Sequence, residues 1–529
     1  MKAKAKFRFF SIAIAVAAIA AAVIFSSCQR VSETENMVSL THIYPTETAL
    51  QTAAEVPESF SEILAEEASD ETNSQTESSE TSSVTATENV TTESTYTDTT
   101  TTETTRGTRS ETEITRATIQ YESPSEALTL PPETTTATAA ASAETTFVET
   151  AVAGVTDINN GYSAINFSEQ KGFWITYLEY MSILKNKSES SFKKSVETYF
   201  DNISALGFNT VYVQVRAFGD AYYNSSLFPS GEQFNGTIGT KNSFDALQIM
   251  VDCAHARGLS LHAWVNPMRL MTAAQIKGID NSYQIKKWYN NNNGTYIVEA
   301  NGRLYLNPAY SEVTDLIADG IEEIIANYNV DGIQIDDYFY PTTAASFDKA
   351  AYSASGTSLS LSNWRISNVN KMVKKLYNAV HSANDTVMFG ISPQGSLDNN
   401  YNELYADVKT WCAESGYCDY ILPQVYFGFE NAALPYDKVI SEWSGMVTNR
   451  NVKLVIGLAA YKIGAADNYA GASGKNEWLN NSDIMARQMT SAQKLPNYGG
   501  VALYRYESIF APTSDVAAQV NKELKNISK

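Results

Sequence analysis

The densest chemistry in the chain is the run Asp331-Gly332-Ile333-Gln334-Ile335-Asp336-Asp337-Tyr338-Phe339-Tyr340-Pro341. A short apolar alternation ends in two adjacent carboxylates and then in aromatic rings. One carboxyl crowded against another beside rings disfavours the charged form and binds a proton more tightly, the condition for a general acid. Glycoside hydrolysis needs such a group to protonate the leaving oxygen. It usually needs a second carboxylate as base, nucleophile or stabiliser. Asp336 and Asp337 are therefore the candidate catalytic pair. The competing reading is that they cap the following loop or hold a structural cation. Asp331, at the opposite end of the run, reads as a turn residue. Glu179, Asp220 and Glu507 are candidates for a possible second carboxylate. Hydrolysis assisted by the substrate's own N-acetyl group, with one Asp polarising the acetamido group and the next serving as acid, stays open.

Carboxylates of this kind have to be held by a frame, and the sequence from 171 onward supplies one. Eight strand-like runs, at 172–177, 210–216, 260–266, 332–336, 387–392, 420–426, 453–461 and 500–506, alternate with amphipathic stretches. Helices are predicted among others at 192–206, 243–257, 311–328, 364–383 and 402–416. Alternating β and α elements call for a parallel sheet, and eight units fit a (β/α)8 TIM barrel, with an open doubly wound sheet as the alternative. No glycine-rich phosphate loop follows the first run, which disfavours that alternative.

Strand parity sharpens the prediction, because alternate residues of a barrel strand face the outer helices while the others face the interior. The second run separates Val211, Val213 and Val215 from Tyr212, Gln214 and Arg216. The last separates Val501 and Leu503 from Ala502, Tyr504 and Tyr506. In run after run the inward set becomes polar or aromatic toward the C-terminal end, the face where barrel enzymes carry their sites. Arg216, Trp264, Asn266, Gln424, Tyr426, Tyr461 and Tyr504 are accordingly candidate substrate-binding residues, a mixture of donors and flat faces suited to sugar rings. His262 reads as a core histidine, His255 and His381 as helix residues with structural roles, and Cys253 as core. Cys412 and Cys418 are close enough in sequence that pairing stays open. No cofactor is expected, and no cysteine or histidine spacing points to a metal.

Composition divides the chain of 529 residues. Residues 31–160 carry 3 basic and 24 acidic side chains, whereas 161–529 carry 30 and 35. The formal net charge of -21 argues against nucleic acid as a partner. Lys2, Lys4, Lys6 and Arg8 precede an apolar run that ends at Ser26-Ser27-Cys28, the order of a secretory signal. The small residues before Cys28 resemble a bacterial lipobox, so residues 1–28 are expected to be a lipoprotein signal peptide with Cys28 as the lipidated residue. Residues 29–160 are expected to be a disordered linker, since positions 71–110 alone hold 16 Thr and 7 Ser and little that could form a core. Residues 161–529 are the expected barrel domain. The expected location is the extracellular face of a bacterial cell membrane, near the wall, with the lipid as the only membrane contact.

Several runs, in order, resemble the glycosyl hydrolase-like 10 family. They are Phe173-Trp174-Ile175, Val213 through Tyr223, His262-Ala263-Trp264-Val265-Asn266-Pro267, Leu306-Asn307-Pro308, Asp331 through Pro341 and Pro423-Gln424-Val425-Tyr426. The resemblance covers 171–510. It implies a TIM-barrel glycosidase, typically an exported bacterial lipoprotein, and members linked to cleavage of peptidoglycan glycan strands. A more distant similarity to barrel enzymes that cut amino-sugar polymers maps their Asp pair after strand four onto Asp336 and Asp337. The expected function is a cell-surface glycoside hydrolase acting on an amino-sugar glycan. The alternative is a non-catalytic carbohydrate-binding barrel that tethers the cell to wall or environmental polysaccharide.

Overall fold

Eight parallel strands close into a barrel in chain order: β1 (Gln170–Ile175), β2 (Thr210–Arg216), β3 (Ser260–Val265), β4 (Gly332–Ile335), β5 (Met388–Ile391), β6 (Tyr420–Ile421), β7 (Lys453–Ala459) and β8 (Tyr498–Tyr504), with β8 pairing back to β1. The structure, a computed structural model, describes residues 161–291 and 294–528. The expected signal sequence, Cys28 and the Ser/Thr/Glu-rich linker lie outside the described residues. Around the barrel run α1 (Glu189–Ala205), α2 (Ala246–His255), α3 (Ser311–Asn327), α4 (Leu361–Ala383), α5 (Val408–Ala413), α6 (Tyr436–Met446), α7 (Ile484–Ala492) and α8 (Ala517–Ile527). This is the (β/α)8 TIM barrel that the alternation predicts. Among the described residues no helix is long and apolar enough to cross a membrane.

The helices start where local chemistry starts them. Ser188, Asp245, Ser360 and Asp407 cap α1, α2, α4 and α5, each side chain accepting a backbone N–H of the first turn; such a cap contributes about 1 kcal/mol. Along α1, Phe192, Val196, Phe200 and Ile203 form the buried stripe that seats it on the sheet. One helix departs from expectation. Of the stretch predicted as a single helix at 402–416 only α5 is helical, and a separate short helix, Leu397–Asn402, ends where the prediction begins. The chain breaks where Tyr405 takes a positive φ of 56° and Asp407 restarts the helix as a cap.

The barrel interior alternates bulk with its absence. Trp174, Tyr212, Trp264, Met388, Tyr420, Leu422, Val455 and Ala502 fill it as one cluster. A Cβ on Gly390 would lie 1.8 Å from the Tyr420 ring, and one on Gly332 would lie 2.3 Å from His262, so these two positions make room for their large neighbours. A polar chain crosses the interior. Trp174 Nε1 donates to Gln334 Oε1 at 2.7 Å, Gln334 Nε2 lies 3.4 Å from the Tyr420 hydroxyl, and that hydroxyl lies 2.8 Å from His262 Nδ1. Burial pushes His262 down to about 4, so it is neutral, as a core histidine should be.

At the N-terminal face the side chain preceding β2, β4 and β6 accepts the N–H of the second residue of the strand before it. Asn209 accepts from Lys171 at 2.9 Å, Asp331 from Leu261 at 2.7 Å and Asp419 from Phe389 at 2.7 Å. His255 of α2 lies 3.0 Å from Asp331, and His381 of α4 lies 3.1 Å from Asp419. Asp331 is thus more than the expected turn residue: it also receives Tyr162 Oη and the N–H of Ile165, fastening segment 162–165 to this face. Cys253, Cys412 and Cys418 are buried free thiols, so Cys412 and Cys418 are unpaired.

Candidate active site

Strand β4 is buried along its whole length and delivers Asp336 and Asp337 at its C-terminal end. Asp336 is 2% exposed, and Asp337 is half-buried. Trp264, from β3, donates its indole N–H to Asp336 Oδ2 at 2.9 Å, and the Tyr338 N–H approaches Oδ1 at 3.4 Å. Gln424 Nε2 donates to Asp337 Oδ1 at 3.2 Å and to the Ser392 carbonyl at 3.1 Å. Burial raises the proton affinity of both carboxyls above the ordinary range, Asp336 well above it because Asp337 repels its negative charge as well. The hydrogen bonds from Trp264 and Gln424 and the Arg269 charge pull the other way without reversing the balance. The pair is built to keep a proton at a pH where an isolated aspartate has lost it.

Other predicted site residues converge on the same end. Gln424 lies past β6, where Pro423 interrupts the ladder by lacking an N–H; bridges to Gln394 and Gly457 carry the strand pattern on to it. Tyr426, Tyr461 and Tyr504 meet as a trio of half-exposed rings, with centroids 5.7 to 6.1 Å apart. Tyr504 also packs edge-on against Trp174 at 5.9 Å. Asn266, just past β3, accepts from Gln214 Nε2 at 2.9 Å, while its own Nδ2 is buried without a partner.

Others are elsewhere. Arg216 does not enter the mouth. The β2–β3 register slips between Gln214 and Arg216, so the residue count no longer alternates there. Its guanidinium lies over Phe228 at 4.4 Å, with Nη1 where a Cβ on Gly320 of α3 would stand. Asp220 accepts the N–H groups of Ala217 and Phe218 at 3.0 and 2.9 Å and serves the loop after β2. Glu179 and Glu507 are drawn together around Arg505 at 2.9 and 3.4 Å. Glu179 accepts from the N–H and hydroxyl of Thr176 as part of a capping box, and Glu507 faces Ser182. None of the three carboxylates bonds to Asp336 or Asp337. Tyr506, also expected inward, stacks on Tyr199 of α1 at 3.7 Å.

Residue-type reasoning missed Arg269, Gln214 and Gln394. Arg269 is 5% exposed, lies 4.2 Å over the Tyr338 ring and 4.8 Å over Phe218, and acts on both aspartates. Gln394 faces Asp337 and eases its ionisation. Arg269 and Gln394 follow a barrel strand by a few residues, and Gln214 lies on the inward side of β2. That placement was readable in the sequence. Among the described residues no three His, Cys, Asp or Glu side chains are grouped to hold a metal ion.

The family model described as glycosyl hydrolase-like 10 matches residues 169–472. The chain is 34% identical over 302 residues to glycosyl hydrolase YngK of Bacillus subtilis, spanning 53% of this chain and 58% of that protein. It is 31% identical over 341 residues to glycosyl hydrolase DigH of Escherichia coli K12, spanning 60% of this chain and 76% of that one. Among solved structures, the glycoside hydrolase domain of PgaB from Bordetella bronchiseptica aligns over 67% of this chain and 99% of its own at 12% identity, with a TM-score of 0.45.

Proposed function

The chain belongs to the glycosyl hydrolase-like 10 family, and from that premise we propose that it is a cell-surface glycoside hydrolase cleaving an amino-sugar glycan, specifically peptidoglycan glycan strands. The observation that carries this reading is the proton-retaining pair of buried Asp336 and half-buried Asp337 at the C-terminal end of β4, in the same mouth as three half-exposed tyrosines. The two carboxyls share a proton, and when it rests on Asp337, the more exposed of the two, that group protonates the leaving glycosidic oxygen. Asp336, held by the Trp264 indole, is the inward carboxylate that stabilises the charge developing at the anomeric carbon or orients an N-acetyl group for attack on it. The adjacency of the two carboxylates favours the substrate-assisted route, in which the second group acts on the substrate rather than on water. Trp264, Asn266, Gln424 and the tyrosines line the sugar path.

The test is incubation of the full-length protein with purified peptidoglycan glycan strands, with and without stem peptides, and mass spectrometry of the products. New glycan ends that disappear in Asp336→Asn and Asp337→Asn are the expected result. Strands retained by the protein but never cut would replace this reading with the carbohydrate-binding barrel.

A further inference from the structure

Arg365 is fully buried at the start of α4, and all its donor nitrogens are engaged. Nε and Nη2 clasp Asp348 at 2.9 and 2.6 Å. Nη2 also donates to the carbonyl of Ala344 at 2.8 Å, and Nη1 reaches the carbonyls of Thr342 and Thr343 at 3.3 and 3.1 Å. A third Nη1 contact, at 3.0 Å, is the hydroxyl of Tyr405, the residue whose positive φ breaks the helix expected after β5. The guanidinium carbon lies 5.0 Å from the centroids of both Tyr340 and Tyr405. One cation thus joins three pieces of chain: α4, the loop that runs from Asp337 to Asp348, and the loop between the two helices that follow β5.

A buried guanidinium is costly unless its donors are met, and a planar fork meets fixed acceptors in one arrangement only. The carbonyls it holds lie five to seven residues beyond Asp337. Between them, Phe339 packs on Trp411 at 5.4 Å and Tyr340 on Tyr405 at 5.3 Å, so little of the intervening chain is left to flex. We propose that Arg365 is a positioning residue for the Asp336–Asp337 pair: by fixing the loop after β4 to α4 and to Tyr405, it holds Asp337 against Gln424 and keeps water from the buried carboxyls. It touches neither substrate nor the pair. The groups that face the pair are Trp264 from β3, Arg269 from the loop after β3, Gln394 from beyond β5 and Gln424 from beyond β6.

The inference rests on the Asp pair being the catalytic group, so its test has one arm that needs no substrate. With 13C-carboxyl-labelled aspartate in the full-length protein, NMR titration follows the pair directly. Arg365→Lys keeps the charge and loses the fork, which admits water, and the midpoint of the pair should move down toward the ordinary carboxylate range. On glycan strands the same variant should lose about 10²-fold in kcat with KM little changed, as displacement of a reacting group does. The alkaline limb of its pH profile should shift to lower pH. Tyr405→Phe, which removes a single hydrogen bond, should move both readouts the same way by less, and it decides the matter if Arg365→Lys does not fold. A folded variant whose Asp pair titrates as in the wild type overturns the proposal. Absence of turnover in the wild type would count against the hydrolase reading alone, because the titration stands without it.

Discussion

Beyond the end of β4, Asp336 and Asp337 stand side by side with no arginine of the described residues in an ion pair with either; beyond β1 and β8, Glu179 and Glu507 flank Arg505 at 2.9 and 3.4 Å. Both pairs consist of carboxylates in buried surroundings at the same end of the barrel, and sequence alone ranked all four residues as candidates. The difference lies in the neighbours. Around Arg505 one guanidinium bridges both carboxylates, although burial and the Glu179 charge still raise Glu507 to about 7, and the cluster pins the helix Tyr177–Ile183 to the segment following β8. At β4 burial is the strongest influence on both carboxyls, joined at Asp336 by the repulsion of Asp337 and opposed by hydrogen bonds and by Arg269. Burial raises proton affinity in both regions, but only at β4 are the carboxylates free of an ion pair that ties them to a structural role.

The largest effect that separates the regions is on turnover. Asp337→Asn should lower kcat by about 10²- to 10⁴-fold, the usual contribution of a positioned general acid, while Glu507→Gln stays near the wild-type rate; steady-state assays on glycan strands compare them. If Glu507→Gln were equally dead, the contrast would collapse. Stability should respond in the reverse order. Glu179→Gln leaves Arg505 buried with one of its two counter-charges gone, at a cost of about 3–5 kcal/mol, to be read from urea unfolding, whereas Asp337→Asn relieves a repulsion and should cost little. Trp264→Phe removes the N–H that favours ionised Asp336. The pair should then hold its proton to higher pH, so the alkaline limb of the rate profile should move upward, with a loss of about 1–3 kcal/mol in transition-state stabilisation if that bond supports the anion.

The smallest effect is on the pH dependence of stability. Glu507 and Glu523 are both raised from 4.5 to about 7, chiefly by burial, so between those values the folded chain holds protons that the unfolded chain has released. Stability therefore falls as pH rises from about 4.5 through about 7. Glu507→Gln should flatten that slope without removing it, since Glu523 remains between α7 and α8. Thermal melts across this window measure the change; an unaltered slope would mean that Glu507 does not titrate in it.

What the sequence determined by itself is local or periodic. The eight alternating units, the inward parity of Tyr212, Trp264, Gln334 and Ala502, and the placement of Asp336–Asp337 at a strand end all follow from a two-residue side-chain period and from turn chemistry. The same period failed where the ladder slipped. Arg216 lies one residue past the irregularity opposite β3 and so points to α3. Tyr506 failed likewise, because β8 ends at Tyr504 and the chain turns into a helix. Distances between residues far apart in the chain were decided by the tertiary structure alone. It joined Glu179 to Glu507 through Arg505, brought Gln424 to Asp337 across 87 positions, and spent the charge of Arg365 on two loops. A residue's type states what it can bond; which partner comes within 3 Å is settled by barrel closure, and no local pattern encodes that.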